Sequence, residues 1–326
     1  MEHTEWKMIK RQHRRRLGSV GWILLIYYVI MNVCVLVFEF GSVMVSMIRS
    51  LAAGDLDALS SVGTEASGAW GYFLAAAIGI LILLCWKKRD FWKNQIWAHG
   101  RPMKTGDFLI LLSLFFSGQL VYQLVMTVVE LILNCFGLSV LKGMAAVSMD
   151  MENFSMFLYG GILAPITEEL LFRGLVQRTL QPYGKRFAIL CSAFTFGIFH
   201  GNLLQAPYAF LVGLVLGYVA SEYSIAWAML LHMLNNLVLG DMLPRLTGGL
   251  PEYVSGLILF AVLIPCAVVS IVMLVVKRES IRTYRRENPV YGYCVRCFFS
   301  SGGIITLMVL MGISMIASIF IMVGPM

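Results

Sequence analysis

Long apolar stretches, separated by short polar segments, recur along the whole chain. A helix needs about 18 to 20 apolar residues to cross a bilayer, and several of these stretches reach that length. They are apolar on all sides, whereas the strands of a membrane β-barrel alternate apolar and polar residues. The pattern therefore predicts an all-α, polytopic transmembrane helix bundle. The nine predicted spans are roughly residues 19–47, 69–86, 107–137, 154–180, 187–200, 207–222, 224–240, 253–276 and 303–323.

Two of the predicted spans are irregular. The fifth is short, about 14 residues, and ends at His200, while the fourth contains two glycines and Pro165 in its interior. Short or interrupted helices in membrane proteins often line a polar cavity, so we expect His200 to lie at membrane depth. On the sixth span, the spacing of Gly213 and Gly217 predicts close helix packing.

The amino-acid composition supports a membrane protein. Of 326 residues, 59% are hydrophobic and 13% are charged, and the mean hydropathy is +0.80. Soluble domains carry about 25% charged residues, and a water-soluble fold of this length could not hide so much apolar surface. The first apolar stretch, residues 20–47, is far longer than the roughly 7 to 15 residues of a signal-peptide core, so it is predicted to remain as a span.

Basic residues give the chain a net charge of +7 and cluster in four places. They lie in the N-terminal tail and in segments 87–106, 181–186 and 277–298, which share one side of the membrane if there are nine spans. The positive-inside rule then predicts a multi-pass cell-membrane protein with a cytoplasmic N-terminus and an extracytoplasmic C-terminus. The charge indicates membrane topology and contact with anionic lipid rather than binding to nucleic acid.

These features divide the chain into four predicted regions. A basic cytoplasmic tail, 1–18, precedes the N-terminal transmembrane helices, 19–150. The middle helices, 151–245, contain the two irregular spans and form the third region. The C-terminal transmembrane helices, with a basic cytoplasmic loop, occupy 246–326.

The fourth span contains two adjacent carboxylates, Glu168 and Glu169, and one arginine, Arg173, deep in an apolar segment. Buried charges are costly unless they are compensated. Glu169 and Arg173 are four residues apart and can pair on one helical face. Glu168 points about 100° away, so it needs another partner and suits a general base. The alternative from these residues alone is a structural salt bridge with a spare glutamate.

Two further spans carry polar groups that suit proton transfer or oxyanion stabilisation. His200 ends the fifth span, four residues after Phe196, and His232 and Asn236 share one face of the seventh. Taken singly, each is explained by packing or by hydrogen bonding between helices. Taken together with the carboxylates of the fourth span, they predict one buried site.

The three motifs, in this order, resemble the CAAX amino-terminal protease family, also called CPBP or Abi, which includes Rce1-like intramembrane endopeptidases. The spacing matches without gaps within each motif, and the resemblance covers about residues 150–245. The matching residues are Glu168-Glu169-x-x-x-Arg173, Phe196-x-x-x-His200 and His232-x-x-x-Asn236.

The resemblance implies a peptide hydrolase that acts on a membrane-associated or lipid-anchored protein or peptide. It implies that Glu168 and His200 activate water and that His232 and Asn236 stabilise the oxyanion. Peptide hydrolysis needs such a base, a proton for the leaving amine, and donors where negative charge develops. The implied supporting residues are Glu169, Arg173 and Phe196.

A metal-dependent mechanism stays open as the minority interpretation. Members of the family are commonly labelled metalloproteases, and two histidines with one glutamate form a known catalytic zinc set. Glu168, His200 and His232 could converge on one zinc ion, although the chain has no H-E-x-x-H motif. A glutamate-based mechanism without a metal fits the resemblance better.

Two other functions compete with proteolysis. Buried ionisable groups also mark ion paths, so a transporter or proton-coupled channel is one alternative. The polar groups lie in consecutive spans without the matching set that inverted repeats would show, which argues against it. A non-catalytic membrane scaffold or immunity protein is the other, but every motif residue is present.

Overall fold

The computed structural model describes residues 3–54, 69–87, 89–98, 100–140 and 153–325, with the side chains of 3–7 left out. It is 87% helical, so the all-α prediction is confirmed. The predicted region boundary at residues 150 and 151 lies outside the described residues. The α-helices are α1 His3–Ala53, α2 Trp70–Trp86, α3 Arg89–Phe91, α4 Thr105–Asn134, α5 Phe154–Leu158, α6 Ala164–Glu169, α7 Arg178–Leu180, α8 Lys185–Phe199, α9 Gln205–Glu222, α10 Ile225–Leu237, α11 Leu243–Thr247, α12 Glu252–Val276, α13 Arg278–Glu287, α14 Gly292–Phe299 and α15 Gly302–Met322.

Wider π-helical turns and one tighter 3₁₀ turn link several of these helices. A proline inside a helix cannot donate the regular backbone hydrogen bond, and Pro165 is the second residue after the π-helical segment Tyr159–Leu163. The π-helical segments are Trp92–Ile96, Tyr159–Leu163, Leu170–Gln177 and Val238–Met242, and the 3₁₀ turn is Gln181–Tyr183. We call the continuous helical run from Phe154 to Tyr183 the site helix.

The described residues include five helices that are long and apolar enough to cross a membrane. A sixth is added if α2 and the segment Arg89–Ile96, bent by 107°, count as one broken span. The multi-pass prediction is therefore confirmed, while the count of nine spans stays a prediction. The five helical stretches are Met8–Ala53, Thr105–Asn134, Ile225–Thr247, Glu252–Val276 and Gly302–Met322.

Helix α12 shows how the outer helices meet lipid. Only 11% of its most apolar window is buried inside the protein, and exposed side chains such as Val268 and Val272 cover its outer face. A soluble protein rarely exposes so much contiguous apolar surface. The outer face of α12 therefore suits contact with acyl chains.

Helices α8 and α9 pack closely against each other and against the site helix in the centre of the bundle. A Cβ atom on Gly213 would lie 3.2 Å from the backbone of Ala193, and one on Gly217 would lie 2.8 Å from Gln177 Oε1. The predicted close packing at Gly213 and Gly217 is therefore confirmed. Phe172 and Phe196 meet edge to face in this buried centre.

The basic segments lie together at one end of the bundle, which we call the basic end. The ring of His13, near the start of α1, contacts the rings of Tyr183 and Tyr293. The guanidinium of Arg186 donates a hydrogen bond to the carbonyl oxygen of Arg285 at 3.0 Å. These contacts join the N-terminal tail to segments 181–186 and 277–298, as the loop pattern predicted.

A short strand pair lies at the opposite end of α4. Strands β1, Leu138–Ser139, and β2, Gly324–Pro325, are antiparallel. The carboxylate of Glu130 accepts hydrogen bonds from the Ser139 hydroxyl and the Val140 amide, which holds β1 against α4. Because α4 begins beside Lys277, which pairs with Asp107, the strand pair lies away from the basic end.

Candidate active site

The two predicted carboxylates lie where the site helix changes geometry. Helix α6 carries Glu168 and Glu169 between the π-helical segments Tyr159–Leu163 and Leu170–Gln177. A π-helical turn is wider than an α-helical turn and occurs often at functional sites. The local backbone therefore rotates side chains away from the regular α-helical directions that the sequence spacing assumes.

Glu169 and Arg173 form the predicted buried ion pair. Arg173 Nη1 donates to Glu169 Oε1 at 2.9 Å, and neither side chain has any exposed surface. The guanidinium also lies 4.3 Å from the centre of the Phe196 ring and donates to the Gly213 carbonyl oxygen at 3.3 Å. Removing one partner of such a pair leaves a buried charge uncompensated and costs about 3–5 kcal/mol.

The same glutamate also holds His232. Glu169 Oε1 lies 2.9 Å from His232 Nδ1, in α10. An ionised carboxylate only accepts hydrogen bonds, so Nδ1 carries the proton and donates it. The contact fixes the ring orientation and directs His232 Nε2 towards Glu168, whose Oε2 atom lies 3.8 Å away.

Glu168 is the less buried of the two carboxylates. About 31% of its side chain is exposed, whereas Glu169 is fully buried. Its distance to His232 Nε2 is too long for a direct hydrogen bond, which leaves a carboxylate that can bind and deprotonate water. The hydroxyl groups of Tyr27 and Tyr159 lie within electrostatic range of Glu168.

His200 caps the C-terminal end of α8, and the helix stops there because Gly201 adopts a left-handed conformation, with φ of +62°. The Nδ1 atom of His200 lies 2.8 Å from the carbonyl oxygen of Phe196. A carbonyl oxygen only accepts, so Nδ1 donates, and the neutral ring keeps a lone pair on Nε2. His200 lies within electrostatic range of Glu168 and His232.

The position of His200 along its helix agrees with membrane depth. Helix α8 has 15 residues and starts next to the basic end. At 1.5 Å per residue it spans roughly 22 Å, less than the roughly 30 Å of a bilayer core. The Gly201 carbonyl oxygen after the helix accepts a hydrogen bond from the Ser314 hydroxyl of α15 at 3.1 Å. Irregular backbone at this depth needs such a protein donor.

Asn236 belongs to a chain of side-chain hydrogen bonds. Its Nδ2 atom donates to the carbonyl oxygen of Gly160, in the site helix, at 2.8 Å. Asn235 Nδ2 donates to Asn236 Oδ1 at 3.1 Å, and the Tyr208 hydroxyl donates to Asn235 Oδ1 at 3.0 Å. One N–H of the Asn236 amide remains for another acceptor.

The structure thus brings most of the predicted site together. Glu168 and Glu169 surround the His232 ring, and His200 is near enough to both Glu168 and His232 to interact electrostatically. Asn236 is tied to the site helix through Gly160 rather than to these groups directly. Sequence reasoning missed four hydroxyl or amide groups that carry no motif, namely those of Tyr27, Tyr159, Tyr208 and Asn235.

The proposed zinc set is not formed. Across the described part of the chain, no three His, Cys, Asp or Glu side chains are arranged so that they could hold one metal ion. Glu168, His200 and His232 therefore do not fit as the three ligands of a zinc ion in this arrangement.

Residues 150–238, about a quarter of the chain, match the family model described as "Type II CAAX prenyl endopeptidase Rce1-like". The predicted resemblance is confirmed over this segment. It includes all three motifs, from Glu168 to Asn236. No curated protein and no solved structure matches the chain.

Proposed function

We propose that this protein is an intramembrane endopeptidase that hydrolyses a peptide bond in a membrane-associated or lipid-anchored protein or peptide. The observation that carries the proposal is the position of His232 between two carboxylates with different roles. Glu169 binds Nδ1 at 2.9 Å, and Glu168 stays 3.8 Å from Nε2 and partly exposed. The Rce1-like match of residues 150–238 supports the same reaction class.

The proposed first step is activation of water. Glu168 accepts a proton from a water molecule, and the lone pair on His200 Nε2 helps to orient that water. The hydroxide oxygen attacks the carbonyl carbon of the peptide, and the carbonyl oxygen becomes an oxyanion. When the C–N bond breaks, Glu168 returns its proton to the leaving amine, so Glu168 and His200 end the cycle as they began.

The oxyanion needs donors that are already in position. His232 donates from Nδ1 to Glu169, so it can donate from Nε2 only when the ring is doubly protonated. Nε2 of His232 is the first proposed donor and lies 3.8 Å from Glu168 Oε2. The free N–H of the Asn236 amide supplies the second donor.

The remaining groups act by positioning. Arg173 holds Glu169, and Phe196 packs against Arg173 while its carbonyl oxygen fixes the His200 ring. We propose residues 151–245 as the catalytic core, with 19–150 and 246–326 as surrounding membrane helices. Since the basic end contains the start of α1 and the C-terminal strand lies away from it, we propose a cytoplasmic N-terminus and an extracytoplasmic C-terminus.

The test is cleavage of a panel of membrane-anchored peptides by the purified protein in detergent. Glu168→Gln keeps the shape of the side chain but removes the base, so turnover should fall by at least about a hundredfold. Glu39→Gln, which removes a carboxylate from another membrane helix, is the matched control and should retain the parent's turnover. Equal cleavage by the parent and Glu168→Gln would contradict the proposed base.

A further inference from the structure

A groove of about 800 Å³ lies at the basic end, between α1 and the start of α15. The two helices cross at glycines. A Cβ atom on Gly21 would lie 2.3 Å from the backbone carbon of Gly303, and one on Gly303 would lie 2.2 Å from the Gly18 oxygen. Gly18 and Gly303, on either side of the crossing, line the groove.

One wall of the groove carries four cations. They follow one stripe of α1 and consist of Lys10, Arg11, Arg14 and Arg15, all exposed. Arg14 donates a hydrogen bond to the carbonyl oxygen of Ser300. Within the described residues, the other three form no ion pair, and no acidic side chain lines the groove. Among the side chains that the structure describes, the groove therefore concentrates positive charge without an acidic partner.

The facing wall adds neutral donors. It includes Gly302 at the start of α15, a helix of 21 residues, where the first backbone N–H groups have no partner within the helix, whereas the amide and hydroxyl of Ser301 both donate to the Phe298 carbonyl oxygen. A Cβ atom on Gly302 would meet nothing within 4 Å, so there is open space beside this residue. The first backbone N–H groups of α15 add hydrogen-bond donors to the site. The cations of α1 by themselves already attract an anion.

The groove continues into an apolar surface. Trp22 lies at its lower edge and is exposed, as are Ile26 and Val29 one and two turns further along α1. On α15, the exposed side chains of Ile305 and Val309 continue from the other wall. Tryptophan is typical of the membrane–water interface, and exposed aliphatic side chains below it suit acyl chains. A free anion would use the cations but not this surface.

We infer that the groove binds one anionic phospholipid, with its phosphate among Lys10, Arg11 and Arg15 and its acyl chains along the exposed faces of α1 and α15. The inference does not depend on peptide hydrolysis, because no group of the proposed active site lines the groove. Phosphatidylglycerol is a suitable probe, with phosphatidylcholine as the zwitterionic comparison.

The experiment measures lipid binding to the full chain in detergent by native mass spectrometry. The groove variant is Lys10→Gln/Arg11→Gln/Arg15→Gln, which leaves the Arg14 contact intact. The matched control is Arg278→Gln/Arg282→Gln/Arg285→Gln, which removes the same charge from exposed positions of α13 in the same basic end. The parent and the control should bind phosphatidylglycerol at least about tenfold more tightly than phosphatidylcholine, and the groove variant should lose that preference.

Equal phosphatidylglycerol binding by the groove variant and the control would overturn the inference. A second variant, Ser19→Asp, keeps every cation but adds a negative charge inside the groove, and it should lose the same preference. Thermal unfolding of each variant checks that the fold is retained. Inorganic phosphate should not displace the lipid at comparable concentrations, and displacement would show a site for free phosphate instead.

Discussion

Glu169 and His232 lie 63 positions apart in the chain, yet their Oε1 and Nδ1 atoms are 2.9 Å apart in the buried centre of the bundle. Glu169 Oε1 also accepts from Arg173, so one carboxylate oxygen connects two helices. The link joins stability to function, because the residue that neutralises a buried cation also orients the ring of a proposed catalytic residue. Substitutions at Glu169 should therefore affect both properties.

The stability part of this link can be tested by breaking or replacing the pair. Glu169→Ala leaves Arg173 buried without its carboxylate, and we expect unfolding free energy to fall by about 3–5 kcal/mol. The double variant Glu169→Leu/Arg173→Met removes both charges and should be closer to the parent. Thermal unfolding in detergent measures both. If the double variant were less stable than Glu169→Ala, the uncompensated charge of Arg173 could not be the cause of the destabilisation.

The hydrogen-bond chain that ends at Asn236 predicts graded losses of activity. Asn236→Ala removes a proposed oxyanion donor and should lower kcat by about 10²–10³. Tyr208→Phe removes only the first link, two bonds away, so kcat should fall by roughly three- to tenfold with KM unchanged, because the amide is oriented less well. Cleavage kinetics on the same peptide measure both values.

Tyr122→Phe is the control for Tyr208→Phe. The rings of Tyr122 and Tyr208 pack at a centroid distance of 5.4 Å, so both substitutions occur in the same place. The Tyr122→Phe variant should keep the parent's kcat. A loss as large as that of Tyr208→Phe would assign the effect to packing and contradict the hydrogen-bond chain.

The packing of α8 on α9 predicts that the position of His200 depends on the close contact between Gly197 and Ala206. A Cβ atom on Gly197 would lie 2.8 Å from the Ala206 carbonyl oxygen, so Gly197→Ala should push α8 away and move His200. We expect destabilisation of about 1–3 kcal/mol and lower kcat. Gly256→Ala is the control, because a Cβ atom there meets nothing within 4 Å. Thermal unfolding and cleavage rates are measured for both variants. Equal stability and equal kcat of Gly197→Ala and Gly256→Ala would contradict a role for the Gly197 contact.

The donor arrangement predicts that cleavage does not require a metal. Within the described residues, Glu168, His200 and His232 are not grouped as three ligands of one ion. Turnover of the purified protein should therefore stay within about twofold of its original value after treatment with a strong chelator. Complete loss on chelation, restored by added zinc, would mean that the side chains rearrange around a metal.

Much of the site could be predicted because its chemistry is local in sequence. The spacing of Glu169 and Arg173 identified their ion pair, and the early stop after His200 indicated membrane depth. The partner of Glu169 across the bundle could not be predicted, since spacing within one helix says nothing of contacts with another. The sequence suggested instead that Glu168 would need the separate partner.

The hydroxyl groups near the site were missed for a related reason. Tyr27 lies on the first helix, far from any motif, and only the packing of α1 brings it within range of Glu168. The π-helical turns on either side of α6 also gave no clear signal, because Pro165 predicts an interruption but not its geometry. The crossing of Gly21 with Gly303 was likewise hidden by the distance between them in the chain.

The Ser314 contact has a consequence for biosynthesis. Ser314 belongs to α15, which leaves the ribosome after the site helix, α8 and α10, and its hydroxyl donates to the Gly201 carbonyl oxygen, which lies beside His200. Helix α1 packs against the same helix, because a Cβ atom on Gly21 would lie 2.3 Å from the backbone carbon of Gly303. Membrane helices insert before they associate. Helix α1 and the central helices therefore remain incompletely assembled until α15 has entered the bilayer, and the nascent chain cannot complete its site before α15 has been synthesised.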